Sequence, residues 1–115
     1  MKSGTVFNQG EILVVPFPFS DLTSVRQRPV LVLSKKDYNE KCEDIVTCGI
    51  TSNLKDTMCS ILIDDSNLIE GKLPAKSRIK FDKLFTLDKS IVIKKVARLD
   101  KVSFEKVRRG IFSLI

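Results

Sequence analysis

Apolar residues along the chain fall in short runs broken by proline, glycine and acidic turns, and only the C-terminal segment spaces them at helical intervals. Residues 11–17 follow Gly10 and read as a first strand, ended by the prolines on either side of Phe17. Residues 18–28 have turn composition and read as a loop. Val30-Leu31-Val32-Leu33, opened by Pro29 and closed by Ser34, fills both parities of the period-two pattern, as a strand buried on both faces does. Residues 35–41 are polar and suit one helical turn with Ser34 as its N-cap. Residues 44–52 form a third strand that ends at the Ser52-Asn53 turn pair. Residues 59–63 form a fourth, stopped by the turn Asp64-Asp65-Ser66-Asn67, and Glu70-Gly71 reads as another turn. Residues 77–81 alternate apolar with charged, the mark of a half-exposed strand with Arg78 and Lys80 on its outer face. Residues 91–99 make the last strand. Asp100 or Ser103 then caps a C-terminal helix whose apolar positions are Val102 or Phe104, Val107, Ile111 and Leu114. Short strands without alternating helices, followed by one amphipathic helix, predict a mainly β fold. It is a small antiparallel barrel with a C-terminal α-helix, a single domain over residues 1–115.

Composition narrows the chemistry. At 115 residues, 43% hydrophobic and 30% charged, the chain can bury a core without disulfide or metal staples. A formal net charge of +6 favours an anionic partner such as nucleic acid. The cysteines, Cys42, Cys48 and Cys59, are odd in number and form no CxxC pair, so neither a disulfide framework nor a zinc site is expected. There is no apolar leader and no run long enough to cross a bilayer, which predicts a cytoplasmic protein with no membrane partner. The chain has no histidine. That excludes a histidine acid–base pair, histidine metal ligation and the Ser-His-Asp triad. The Asp64-Asp65 pair has no supporting ligands and reads as a turn, so no metal or other cofactor is called for.

The remaining chemistry converges on the segment Arg26-Gln27-Arg28-Pro29. A guanidinium fixed at the mouth of a rigid strand matches phosphate oxygens with its fork of donors, so Arg28 is the first candidate and Arg26 a second cation. Thr51 and Ser52 stand at the end of a buried strand, where a hydroxyl can donate to a phosphate or position a substrate hydroxyl. The same residues suit a Ser/Thr turn. Lys55, Arg78, Lys80 and Lys83 could line a channel for single-stranded nucleic acid, with Phe19 stacking on a base.

These stretches together resemble the MazF/PemK family of toxin endoribonucleases from bacterial type II toxin–antitoxin systems. Gly10-Glu11-Ile12-Leu13-Val14 is similar to the family's opening strand, and Phe17-Pro18-Phe19-Ser20-Asp21-Leu22 to the loop of PemK-like members. Residues 28–34 match the Arg-Pro-apolar strand, Ile50-Thr51 the strand end that carries a catalytic threonine or serine, and residues 84–89 a later segment. Arg98-Leu99-Asp100 stands before the final helix, as in the family. The resemblance implies an SH3-like (CcdB/MazF-like) barrel, a homodimer and a cognate antitoxin partner. It also implies metal-independent cleavage of single-stranded RNA, with Arg28 and Thr51 at the scissile phosphate. Attack by the ribose 2′-OH would leave 2′,3′-cyclic phosphate and 5′-OH ends. Some members carry a glutamate in the loop before the arginine. Here residues 22–26 hold no carboxylate, and Asp21 is the nearest. Two alternatives stay open on the same fold: a non-enzymatic poison of DNA gyrase, and a catalytically silent nucleic-acid-binding barrel.

Overall fold

A computed structural model of the protein describes residues 5–18 and 25–115, the side chains of residues 17, 18 and 25 excepted. Its starting unit is a ribbon. Strand β1 (Glu11–Pro18) pairs antiparallel with β2 (Val25–Val32), from Ile12 opposite Leu31 to Pro18 opposite Val25. Pairing carries both strands past the prolines, so Arg26 and Arg28 lie within a strand and not in a loop before one. The predicted loop over residues 18–28 shrinks accordingly, and what remains of it, residues 19–24, lies outside the described residues along with Phe19 and Asp21. Pro29 is tolerated inside β2 because pairing to the next strand begins only at Val30.

Helix α1 (Lys36–Lys41) follows, with Lys35 at its N-cap and no side-chain capping bond. Ser34 is therefore not the cap. Its hydroxyl instead donates to Asn39 Oδ1 at 2.5 Å and accepts from the Val46 amide at 3.0 Å. The sheet continues with β3 (Asp44–Thr51), β4 (Ser60–Ile63), β5 (Leu68–Gly71), β6 (Ser77–Asp88) and β7 (Lys94–Leu99). All seven strands form one antiparallel sheet in the order β4-β6-β3-β2-β1-β7-β5, curled into a partly open barrel.

Glu70-Gly71 is not a turn. It ends edge strand β5, which pairs Gly71 with Ala97. Between β4 and β5, Asp64 accepts from the hydroxyl and amide of Ser66, at 2.5 and 2.9 Å, and caps a short 3-10 turn. These donors hold its carboxyl below the usual aspartate range. The stability that Asp64 contributes is thus present above the ordinary aspartate pKa and lost as pH falls through its lowered value.

Two apolar cores lie on opposite faces of the sheet. The larger holds Ile12, Leu31, Cys48, Ile50, Ile63, Ile79, Leu99 and Val107. The smaller holds Phe7, Leu13, Val15, Val30, Val32, Ile45 and Val92. Leu31 and Val30 point to opposite faces by strand parity, which is why the sequence run is continuously apolar. Cys48 is wholly buried, and desolvation pushes its thiol up to about 12.

Helix α2 (Lys101–Phe112) closes the larger core, capped by Asp100, which accepts from the Ser103 amide at 2.7 Å. Phe104 and Ile111 pack inward, while Val102 and Leu114 are exposed. Gly110 lets α2 approach β6: a Cβ there would sit 2.9 Å from the Phe81 ring. Among the described residues no helix is long and apolar enough to cross a membrane.

The opening Gly-Glu pair has a structural purpose. Glu11 is buried, accepts from the Asn8 amide at 2.6 Å and pairs with Lys95 at 3.3 Å and Arg98 at 3.4 Å. Glu11→Ala is expected to cost about 2–3 kcal/mol, because it strands the Asn8 amide and two cations that are themselves partly solvated. Urea denaturation measures it, and a midpoint unchanged from wild type contradicts it.

Candidate active site

The smaller core's face of the sheet turns polar toward the ends of β2 and β3. Arg28 lies two residues before Val30 on that face, and Thr51 two residues after Gly49. The register pairs Val30 with Gly49, so one further step along both strands sets Arg28 opposite Thr51. Beyond Val30 the edge of β2 has no partner in β3, and a cavity of about 550 Å³ opens there.

Its far wall comes from β6. The register jumps from Cys48 opposite Leu84 to Gly49 opposite Lys80, leaving Phe81, Asp82 and Lys83 without partners in β3. This bulge bends the strand and turns Asp82 and Lys83 into the cavity. Leu84 and Phe85 add an apolar side, and Gly49 forms the floor, where a Cβ would touch Lys83 and Phe85 at 3.6 and 3.8 Å.

The loop of residues 52–59 rims the site and is held by two cations of β6. Arg78 donates through Nε to Leu54 O at 2.8 Å and through Nη1 to Ser60 Oγ at 3.3 Å. Lys80 donates to Asp56 Oδ1 at 2.8 Å and to Met58 O, and its Nζ lies 3.8 Å from Asp82. Only 6% of the Lys80 side chain is exposed. The hydrogen bond to Asp56 raises its ammonium pKa; burial opposes this, and the charges of Asp56, Asp82 and Cys59 add to it. The stabilisation is complete below the ordinary lysine pKa and fades only as pH rises through the raised value, so the cluster is intact at neutral pH.

The Ser/Thr turn expected at Thr51 is present. Thr51 Oγ1 accepts from the Asn53 amide at 3.1 Å, the bond of a Ser/Thr turn, which fixes the oxygen. Its own proton goes to no described acceptor and is available to a ligand.

Of the sequence candidates, Arg28, Thr51, Lys80 and Lys83 line the cavity. Lys80 is not on an outer basic face, because β4 pairs alongside it and the loop covers it. Arg78 is likewise engaged in holding the loop. Arg26, Ser52 and Lys55 are exposed and do not line the cavity. Asp56 and Asp82 are residues that pattern reading missed: one sits in a loop and the other in a bulge, where periodicity carries no signal. Among the described residues, no group of three or more Cys, Asp or Glu side chains could hold a metal.

This barrel has counterparts. The family model of PemK-like, MazF-like toxins of type II toxin–antitoxin systems matches residues 8–115. The chain belongs to that family. A search of curated protein sequences returns no match. Among solved structures, a MazE-MazF structure from Deinococcus radiodurans aligns with a TM-score of 0.75 at 22% identity, over 96% of each chain. An endoribonuclease in complex with its cognate antitoxin, from a mycobacterial species, aligns with a TM-score of 0.74 at 14% identity, over 95% of this chain and 92% of its own. At such identities these likenesses speak for the barrel, and the expected fold is borne out.

Proposed function

We propose that this protein is the toxin of a type II toxin–antitoxin pair and a sequence-specific endoribonuclease that cuts single-stranded RNA without a metal. One observation carries the reading: Arg28 and Thr51, from adjacent strands, line one cavity whose β6 wall adds Lys83. Arg28 grips the non-bridging oxygens and stabilises the charge that builds on the five-coordinate phosphorus, while the Thr51 hydroxyl donates to the same group. Attack by the ribose 2′-oxygen expels the 5′-oxygen and leaves a 2′,3′-cyclic phosphate. Leu84 and Phe85 give a flanking base an apolar surface. The protein acts as a cytoplasmic homodimer, and its cognate antitoxin is the partner that restrains it, as the complexed mycobacterial neighbour is partnered by its own.

The test is purified protein with mixed-sequence RNA in a chelator, followed by mapping of the ends. The expected products end in 2′,3′-cyclic phosphate and 5′-OH at a short recurring sequence. Intact RNA after prolonged incubation refutes the reading.

A further inference from the structure

Attack by a 2′-hydroxyl requires a group to take its proton, and the chain has no histidine to do so. We propose that Asp56 is the general base of this site, accepting the 2′-hydroxyl proton as the oxygen closes on phosphorus. The inference rests on the RNA-cleavage reading above.

Asp56 lines the same cavity as Arg28 and Thr51, and its side chain is 42% exposed. Oδ1 accepts from Lys80 at 2.8 Å, whereas Oδ2 has no hydrogen-bond partner among the described residues. One oxygen is thus fixed and the other is open to a ligand. The loop carrying it is held in place: the Asp56 amide donates to Asn53 O at 3.2 Å, Arg78 holds Leu54 O, and Lys80 also holds Met58 O. A base held this firmly forfeits little in orientation when substrate arrives.

Lys80 stands between two carboxylates, with Asp82 at 3.8 Å on its other side. The three groups sum to one negative charge. A proton arriving on Asp56 brings the sum to zero and leaves Lys80 facing Asp82, so the transfer strands no buried ammonium. Asp82 is the lesser base: it meets Lys80 only at 3.8 Å and has no hydrogen bond among the described residues to orient it. The other charged groups lining the cavity are Arg28 from β2 and Lys83 from β6; Lys55 precedes Asp56 in the loop, and the Cys59 thiol lies near Lys80.

The step balances. The 2′-O–P bond forms and the P–O5′ bond breaks, the 2′ proton passes to Asp56 Oδ2, and the departing 5′-oxyanion takes a proton from water. Asp56 then returns its proton to solvent.

The experiment compares wild type, Asp56→Asn and Asp56→Glu on a short single-stranded RNA containing the mapped cleavage site, across pH. Asp56→Asn keeps an oxygen that accepts from Lys80, so the loop stays held. It should lower kcat about 100-fold, leave KM within about threefold and abolish the acid limb of the kcat profile, with partial recovery in Asp56→Glu. A second measurement uses wild type alone, with a substrate whose leaving 5′-oxygen is sulfur. Such a leaving group needs no proton, so the acid limb must persist. Asp56→Asn turning over at the wild-type rate with an unchanged profile overturns the proposal and leaves RNA cleavage standing. Loss of the acid limb with the sulfur substrate does the same. A wild-type protein that leaves RNA intact overturns both.

Discussion

Arg28→Ala should lower kcat for RNA cleavage by about 100- to 1,000-fold, equivalent to about 2.7–4 kcal/mol of transition-state stabilisation. The size follows from placement. Arg28 stands half-buried in the ribbon, where β1 pairs with β2 through Val15 and the β3 side is open. Its charge therefore acts in a partly dry cavity, on a backbone paired to β1. A lysine at this position keeps the charge and loses the fork, so Arg28→Lys should recover only a fraction of the rate. Residue 28 contributes to neither apolar core. Single-turnover cleavage alongside a thermal melt separates the effects, and growth under induced expression supplies a cellular reading. An Arg28→Ala protein as active and as toxic as wild type removes Arg28 from the chemistry.

Gly71→Ala carries the largest expected loss of stability. Gly71 has φ +76°, a conformation that an L side chain adopts only under strain, and it ends an edge strand laid against β7. A Cβ there would stand 2.0 Å from the Val96 carbonyl oxygen and 2.7 Å from Ala97 Cα. Both are backbone atoms, so no rotamer relieves the clash and β5 must lift away. Leu68, packed against the larger core, would lift with it. The expected cost is about 3–5 kcal/mol, or about 10–20 °C in Tm for a chain of this size. A melt within about 3 °C of wild type shows that β5 can leave the sheet at little cost.

Some of this was legible in the chain and some was not, for physical reasons. The run Val30–Val32 announced a strand buried on both faces because it serves two cores, and the helical spacing of Val107 and Ile111 located α2. Arg28 and Thr51 were legible as a pair because both sit where apolar periodicity stops. The extent of β2 was not, since Val25-Arg26-Gln27-Arg28 has no apolar alternation and is a strand only through pairing with β1. Strand β5 was read as a turn because its glycine marks a close approach between strands. Lys80 looked like one more surface cation in an alternating strand. Its burial depends on a loop whose Asp56 lies far back in the sequence, a relation no local pattern carries.

The bulge in β6 bears on how such a site can diversify. Where a strand pairs without interruption, adding or deleting one residue throws every following side chain onto the wrong face. Asp82 and Lys83 sit in the stretch that β3 leaves unpaired, so pairing on either side is set independently of what stands there. Replacements and small insertions at these positions therefore change the charge and reach of the cavity wall without moving either core. Lineages carrying this barrel can drift in what the wall meets while Arg28 and Thr51 stay where they are.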